Sequence, residues 1–489
     1  MIEVRSTPSG GLGVFATQDY GIGDVIVEEA EPILRLAPSS EQDTSKLLAA
    51  LPPVRKGAPK GEVSFPASIA HPSSISKEYV GQFRGMIQAV ACFAEFDKSQ
   101  EAASKILELY APNPDSTVAE EEIIVKVSKE ALKYVQNHSK GESKLRTFVT
   151  KNPEQAVKIM LVWACNSYEG GRLYEIQCRI NHSCNPNAII QADGDKQVVR
   201  AAAEIKSGTE IKTSYLGLLL YTDCQTRRAL LLSTKHFQCT CDRCTGFEDP
   251  AAAIPCPTCH PRDGRYLEED VAYDDDKQVK YMYPRESTDC ECVICKTKLQ
   301  NNNGDSSNEA LSVAAVVSKK VLAHLQDKET REEDDDDEEA DEEWEQQMHQ
   351  LTCSVVGAMH WTTNLVTLMR LNRVLKQQHV SMLQSGETPA VEDIAEAIDM
   401  LERLCRFMEA LKLNLHMGHL LSNVVVGVAR TLVSLGDEKS KKYAAEWVLK
   451  VKDYSDTFDS DGMQKVVESL LEAWEKRDNE PATKKTKSN

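Results

Sequence analysis

The sequence lacks any uninterrupted apolar stretch of the roughly 18 residues that a membrane-spanning helix requires. It also lacks the charged start and apolar core of a secretory signal peptide, because Met1–Arg5 leads directly into a glycine-rich turn. From these absences we expect neither a membrane-spanning nor a secreted protein. We therefore expect the chain in the cytoplasm, the nucleus or both, with no membrane partner.

Positive charge is also scarce in this chain. The 57 Lys and Arg residues are outnumbered by 76 Asp and Glu residues, which gives a formal net charge of −19. A protein without a cationic excess releases few counterions from a phosphate backbone, so we expect no direct nucleic-acid binding. The acidic balance is compatible with a basic protein partner, such as a histone tail.

Acidic side chains concentrate between Glu332 and Glu345, where twelve of fourteen residues are Asp or Glu. Like charges repel each other and bury no apolar surface, so this run predicts a solvated, disordered loop inside an acidic linker at residues 327–347. The functional alternative is electrostatic attraction of a basic substrate. A basic tail at residues 477–489 is either a nuclear import signal or a solvated chain end.

Fifteen cysteines in a chain without an export signal favour metal ligands over disulfides. Cys239, Cys241 and Cys244 form a Cys-x-Cys-x-x-Cys motif, and Cys184 offers a fourth thiol 55 residues earlier. Four thiolates make a closed, structural zinc site. Three cysteines buried as apolar residues are the alternative, which the close spacing disfavours.

A second cysteine set predicts a zinc-ribbon-like module at residues 255–298. Two Cys-x-x-Cys pairs are separated by 32 residues, and a structural zinc ion needs four such ligands. The ligands expected here are Cys256, Cys259, Cys292 and Cys295. Cys290 and His260 are spare candidates for one of these positions, so the ligand set stays open by one residue.

Three segments contain residues suited to a small ligand. Residues 10–16 include glycines whose missing Cβ lets main chain approach a ligand, although spaced glycines also make hairpin turns. Residues 179–187 place Asn181 beside His182 after an apolar stretch, and buried polar side chains must find a ligand or a tight network. Residues 209–215 end in Ser214 and Tyr215, where a tyrosine alone would be a core aromatic.

In this order, the three segments resemble the SET domain, the fold of most protein lysine methyltransferases. The resemblance implies that Asn181 and His182 hold the amino-acid and adenine parts of S-adenosylmethionine, while Cys184 leaves the pocket to bind zinc. Further cofactor contacts implied by the resemblance are the main chain of Gly11, Leu12 and Gly13, the residue Asn166, the ring of Phe237, and Tyr215.

The same resemblance assigns the catalytic role to Tyr215, beside the channel where a substrate lysine meets the cofactor's methyl group. A lysine amine has a pKa of about 10.4, and only its neutral form attacks carbon. A narrow, poorly solvated channel beside a cationic sulfonium lowers that pKa. Tyr215 is expected to orient the amine and to stabilise charge as it shifts.

The whole chain is most similar to the SET-and-MYND branch. The expected fold class is α+β: a β-rich SET domain interrupted by a helical insert, a Cys-rich zinc-binding region after it, and a C-terminal all-α domain of TPR-like helical hairpins. The expected divisions are a SET N-terminal part at 1–38, the insert at 39–153, the SET core with the first zinc site at 154–247, and helical hairpins at 348–476.

One departure from that branch is plain. A MYND finger needs many Cys and His residues in the insert, yet residues 39–153 contain only Cys92, His71 and His138. We therefore expect no MYND finger, and partner docking of that type is not implied.

Periodicity predicts the main elements of the chain. Apolar residues at three- and four-residue spacing predict helices at 76–96, 119–135, 156–165, 349–375, 391–413, 416–435 and 444–451. Short β-rich runs predict strands at 13–16, 25–27, 188–190 and 197–203.

The sequence therefore supports two alternative functions. The first is transfer of a methyl group from S-adenosylmethionine to a lysine of a histone or non-histone protein, by a monomer that holds two structural zinc ions. The second is a catalytically inert, zinc-stabilised SET scaffold that binds partners through its helical C-terminal domain. The retained Tyr215 and glycine loop favour the enzyme, because an inert fold needs neither.

Overall fold

The structure is a computed structural model of the chain. The residues it describes are 1–7, 11–36, 47, 80–95, 100–115, 119–139, 143–168, 171–246, 249–256, 258–259, 281–282, 290–292, 295–296, 298–299, 307–328, 338–385, 390–413, 424–433, 440, 442–449, 452, 465 and 469. Across these ranges, none of the helices is both long and apolar enough to cross a membrane.

Strands and helices alternate in long blocks along the chain. The strands are β1 Ile2–Ser6, β2 Leu12–Ala16, β3 Val25–Glu29, β4 Asn181–His182, β5 Ala188–Asp193, β6 Lys196–Ala201, β7 Glu210–Thr213, β8 Ile254–Pro255, β9 Tyr281–Met282, β10 Cys290–Glu291 and β11 Lys298–Leu299. The first helices are α1 Val80–Ala94, α2 Gln100–Leu107, α3 Ala119–His138, α4 Lys144–Lys151, α5 Pro153–Asn166, α6 Cys224–Lys235 and α7 Asp242–Thr245. The long C-terminal helices are α8 Ser307–Lys328, α9 Glu338–Val355, α10 Trp361–Ser385 and α11 Val391–Ala410. The α+β fold class is confirmed.

A four-stranded sheet in the order β1-β2-β7-β4 brings three distant sequence segments together. Strand β7 pairs antiparallel with β2 and parallel with β4, so Asn181 lies opposite Lys212 and His182 opposite Thr213. The short β4 therefore has its position fixed by β7. Strand β2, which is the other neighbour of β7, starts immediately after the glycine-rich turn.

A second sheet, in the order β3-β6-β5, supplies the apolar core beside the first. Alternate residues of β6 are buried, as expected for a sheet with one covered face. Val14, Ile180, Val199 and Ile211 are fully buried and join both sheets in one hydrophobic cluster. This core holds β4 in place, because Ile180 belongs to the core and directly precedes Asn181, the first residue of β4.

A second apolar cluster is formed by helices α1 to α5 together with Leu34 and Leu173 of the neighbouring segments. Helix α5 is amphipathic only weakly, and its middle residues from Ile159 to Val162 are fully buried. Proline at the first position of α5 suits a helix start, because that backbone nitrogen needs no partner. The helix ends at Asn166.

The C-terminal helices differ from the predicted ones in how residues 349–375 are divided. The single helix predicted at residues 349–375 is wrong, because the structure contains two helices separated at residues 356–360. Helix α9 ends where the backbone nitrogens of Val356 and Gly357 both donate to the Thr352 carbonyl. His360 then precedes α10 and accepts a hydrogen bond from the Thr362 backbone nitrogen at its Nδ1 atom, 3.3 Å away.

The prediction of a disordered loop over the whole acidic run is wrong for its second half. Helix α9 begins at Glu338, within the run. Arg373 on α10 pairs with Glu342 at 3.0 Å and also with Glu345, whose side chain is 1% exposed. These ion pairs stabilise helical acids that would otherwise repel each other. Residues 329–337 lie outside the described residues, so the interpretation of the first half stays a prediction.

Buried His360 makes the helical region sensitive to acid. Desolvation lowers the pKa of His360 to about 3 from its usual 6.5, and Asp249 opposes the shift. Between these values the unfolded chain binds a proton that the folded chain rejects, so stability falls as pH decreases through 6.5. We expect a loss of about 2 kcal/mol between pH 7 and pH 5 from this group, measured by urea unfolding.

A His360→Asn variant keeps an acceptor for the Thr362 nitrogen at the start of α10 but cannot take up the proton. Its unfolding free energy is expected to vary less with pH over this interval. His379→Asn, at an exposed position on the same helix, is the matched control. If the His360 variant lost stability with acid as steeply as the parent chain, this assignment would be wrong.

Candidate functional site

The Asn181 side chain holds the glycine-rich turn against β7. Its Nδ2 atom donates to the Leu12 carbonyl at 3.0 Å and to Glu210 Oε1 at 2.8 Å. A Cβ atom on Gly13 would stand 2.6 Å from Glu210 Oε1 and 3.0 Å from Asn181 Nδ2, so a larger residue does not fit there. The predicted residues Gly11, Leu12, Gly13 and Asn181 therefore lie together.

The His182 ring connects Tyr215 to the first cysteine set. The Tyr215 backbone nitrogen donates to Nδ1 at 3.0 Å, so Nδ1 is the unprotonated nitrogen and Nε2 carries the hydrogen. Nε2 lies 3.2 Å from Cys184 Sγ, where it donates to the sulfur. Because both ring nitrogens have partners within the protein, contact of His182 with a cofactor would use its main chain.

The Tyr215 hydroxyl is fixed by a backbone carbonyl. It donates to the Ile180 oxygen at 2.5 Å, and burial raises the pKa of Tyr215 above its usual value. The ring of Phe237 lies 6.4 Å from the Tyr215 ring and 6.1 Å from His182, between centroids. The structure thus brings Phe237, His182 and Tyr215 into one aromatic group, and Tyr215 stays protonated at neutral pH.

The side-chain hydrogen bonds of Asn166 do not connect it to this aromatic group. Its Nδ2 atom donates to the Val162 and Tyr110 carbonyls, both at 2.7 Å, so the side-chain nitrogen serves the end of α5. Its backbone carbonyl accepts a weak hydrogen bond from the Cys178 thiol at 3.4 Å. The assignment of Asn166 as a cofactor contact stays a prediction.

Lys235 is a member of the site that sequence analysis missed. Its Nζ atom lies 5.6 Å from the centre of the Tyr215 ring and donates to the Cys165 carbonyl at 3.3 Å. Burial lowers the pKa of Lys235, while the thiols of Cys165 and Cys178 oppose the shift. No local pattern marks this lysine, because helix α6 brings it to Tyr215 from 20 residues further along the chain.

The first cysteine set has the geometry of a four-thiolate metal site. The sulfur atoms of Cys184, Cys239, Cys241 and Cys244 all lie within 4.8 Å of one another, with the Cys184 and Cys239 sulfurs 3.9 Å apart. Four thiolates bound to one zinc at about 2.3 Å stand about 3.8 Å apart. Three of these cysteines are buried, which shields the site from water.

Two arginines of α6 contact the ligands of this set. The Arg228 Nε atom donates to the Cys239 carbonyl at 3.0 Å. Arg227 is fully buried, points one nitrogen at the Cys244 sulfur at 3.9 Å, and pairs with Asp249 at 3.3 Å. Cations and donors beside thiolates fix the ligands and balance their charge.

The second cysteine set is also assembled. The sulfurs of Cys256, Cys259, Cys292 and Cys295 lie within 4.8 Å of one another. Neighbouring thiols, Cys295 first, raise the pKa of Cys259 to about 12, so a cation is needed to hold the four as thiolates. His260 lies outside the described residues, as does the side chain of Cys290, so neither spare ligand is assigned.

Comparison with known proteins agrees with this geometry. Residues 11–216 match the SET domain family. N-lysine methyltransferase SMYD2 of Homo sapiens is 36% identical over 88 residues, which are 18% of this chain and 20% of that protein. SMYD2-A of Xenopus laevis is 37% identical over 86 residues, 17% of this chain and 20% of that protein. SMYD2 of Gallus gallus is 29% identical over 161 residues, 29% of this chain and 36% of that protein.

These matches cover only part of this chain and part of each relative. The chain spans about one fifth of the length of the first two relatives and about a third of the third. The SET match itself runs from the glycine-rich turn to one residue beyond Tyr215. It therefore includes the Asn181–Cys184 segment and the strand that orients it.

Proposed function

We propose that this chain, whose residues 11–216 are a SET domain related to the SMYD2 lysine methyltransferases, transfers a methyl group from S-adenosylmethionine to a lysine of a protein substrate. One observation carries the proposal. Asn181 binds the glycine-rich turn on one side, while the neighbouring His182 binds Tyr215 on the other. Two consecutive residues thus join a loop suited to a ligand and a half-buried, protonated tyrosine.

The residues present fit the proposed cofactor. Gly13 lets the glycine-rich turn lie close against Glu210 and Asn181, and Leu12 in the same turn is 44% exposed, so a ligand can reach the turn from outside. Phe237 offers a half-buried ring for a planar base, at the edge of the same aromatic group. S-adenosylmethionine supplies an electrophilic methyl group on a sulfonium.

Tyr215 has the properties that alignment of an amine requires. Its hydroxyl is fixed by Ile180, so a polar atom stands at one defined point before substrate arrives. A preorganised group of this type loses no entropy at the moment of reaction. We assign Tyr215 as the catalytic residue that orients the lysine nitrogen toward the methyl group.

Lys235 acts on the protonation of the incoming lysine. Two ammonium groups close together in a poorly solvated site disfavour each other's charged forms. With Lys235 beside Tyr215, the substrate amine therefore gives up its proton more readily. This favours the neutral amine, which is the nucleophile.

Two structural zinc ions complete the proposal, one for each cysteine set. In the first set, zinc would hold Phe237 near Tyr215, because Phe237 stands two residues before Cys239. In the second set, zinc would stabilise a small module with little core of its own. The domain boundaries given above, a monomeric state, and location in cytoplasm or nucleus stay proposals.

Replacing Asn181 tests the placement of the cofactor. Asn181→Ala removes both the contact to Leu12 and the contact to Glu210, so the turn loses its fixed position. We expect affinity for S-adenosylmethionine to fall about tenfold, measured by titration calorimetry. Asn185→Ala, at an exposed position in the same segment, is the matched control. Equal affinity in the Asn181 variant and the parent would place the cofactor elsewhere.

The enzyme and the inert scaffold are separated by one experiment. The full chain is incubated with S-adenosylmethionine labelled in its methyl group, together with purified histones and a cell extract. The proposal expects label in at least one protein. Confirmed cofactor binding with no labelled protein would favour the scaffold, with partner binding through the helical region as its function.

A further inference from the structure

A cavity of about 410 Å³ opens among helices α9, α10 and α11, within the C-terminal helical region. Its lining is almost entirely polar, with Glu342, Arg370, Arg373, Gln378, Asp393 and Glu396 among its side chains. A packed interior normally excludes such groups. A lining of this kind suits a polar ligand rather than an apolar one.

The two arginines of the cavity are already neutralised. Arg373 binds Glu342 and the buried Glu345, and its side chain is 13% exposed. Arg370 binds Glu396 at 2.6 Å and is 17% exposed. A second anion is not needed by either guanidinium, so an acidic ligand gains little here.

The carboxylates, in contrast, retain unused binding capacity. Asp393 is exposed in the first turn of α11 and makes no hydrogen bond or ion pair with any described residue. The side chain of Glu396 is 49% exposed and that of Glu342 is 54% exposed, despite their arginine partners. Each carboxylate accepts up to about four hydrogen bonds. These groups favour a cationic ligand.

Gln378 supplies an independent sign of a ligand. It is 7% exposed, and its Oε1 atom accepts from Thr431. Its Nε2 atom is buried and has no hydrogen-bond partner among the residues that the structure describes, and Gln378 itself lines the cavity. Such a donor is costly unless an acceptor reaches it, and a peptide carbonyl is one.

The acidic run adds a local field to these contacts. Its second half forms the first turns of α9, where Glu342 lines the cavity and Glu343 is exposed beside it. Clustered charge of one sign attracts a ligand of the opposite sign and speeds its association. The alternative function considered for the acidic run, attraction of a basic substrate, would therefore take place at this cavity.

We propose that this cavity binds a lysine- or arginine-rich segment of a protein substrate. A basic side chain lies between Asp393 and Glu396, and a carbonyl of the same segment accepts from Gln378. Assignment of this segment to the methylated protein rests on the proposed function, whereas the binding itself does not. The cavity would hold the substrate at a second point, away from its methylated lysine.

The test is direct binding without cofactor. A short fluorescein-labelled peptide of alternating lysine and serine is titrated with the full chain, and its fluorescence anisotropy is measured. We expect saturable binding that weakens as salt is added. The double variant Asp393→Asn, Glu396→Gln is expected to bind about tenfold more weakly, the scale of two partly exposed charge contacts.

Two variants keep this test specific. Glu409→Gln removes the same charge at an exposed position of α11, about 20 Å along the helix from Glu396, and should bind as the parent does. Gln378→Met removes the unpartnered donor at similar volume, while Thr431 keeps its bond to the Gly427 carbonyl. It should bind several-fold more weakly with no loss of thermal stability.

Two results would overturn the proposal. If the double variant and Glu409→Gln bound the peptide equally, the cavity would not be its site. If replacing Lys484, Lys485 and Lys487 by alanine raised peptide affinity about tenfold, the chain's own tail would be the occupant. Peptide binding together with absent methyl transfer would leave this inference standing and remove only the proposed function.

Discussion

A Tyr215→Phe variant should lose methyl transfer by about 10²-fold or more while it still binds S-adenosylmethionine. The substitution keeps the ring near Phe237 and His182 but deletes the hydroxyl that Ile180 fixes. Loss of one preorganised polar group at a reacting centre has this scale. The rate is measured with labelled cofactor and the best substrate from the histone and extract panel, and affinity by calorimetry.

Stability of this variant needs a separate measurement. The Ile180 carbonyl loses its hydrogen-bond donor, which costs about 1 kcal/mol of unfolding free energy. That cost alone does not explain a hundredfold loss of rate in protein that remains folded. If transfer were unchanged, Tyr215 would be a core aromatic, and another group would align the lysine.

The second large effect is expected at the first cysteine set. Cys184→Ser removes one of four clustered sulfurs and the partner of His182 Nε2. Zinc content should fall from about two to about one ion per chain. Because metal binding is coupled to folding, the unfolding free energy should fall by about 4 kcal/mol or more.

Elemental analysis and urea unfolding of the purified variant measure both quantities. Cys405→Ser is the matched control, because Cys405 is a half-buried cysteine of α11 outside both sets. It should retain two zinc ions. A parent chain with less than one zinc ion per molecule would contradict the assignment of one zinc ion to each cysteine set.

Much of the site was predictable because its residues lie in short, dense motifs. The run from Asn181 to Cys184 holds a contact to the glycine-rich turn, a contact to Tyr215 and a sulfur within four residues. The cysteine spacings likewise limit the geometry so strongly that both sets assemble as predicted. Local patterns of this kind can be recognised in a sequence before the fold is known.

Contacts between distant segments were not predictable. Lys235 reaches Tyr215 only because α6 folds back after residues 217–221. Glu345 is helical and buried because Arg373, 28 residues later, compensates its charge. Local repulsion in the acidic run indicates a loop, and only the tertiary ion pair reverses that preference.

The role of the His182 ring also depends on tertiary geometry. Sequence motifs assign the residue to a cofactor, whereas the ring lies between the Tyr215 nitrogen and Cys184 sulfur. A motif defines which residue stands at a position but not which of its atoms faces the ligand. Ring orientation follows from β4 pairing with β7, which the two-residue strand does not reveal.

The central claim is that this site methylates lysine. The most direct measurement is complete acid hydrolysis of a protein labelled by the chain and methyl-labelled S-adenosylmethionine, followed by separation of the amino acids. The account predicts that the label elutes as methylated lysine and that Tyr215→Phe reduces it about 10²-fold. Label in another amino acid, or equal label from the variant, would contradict it.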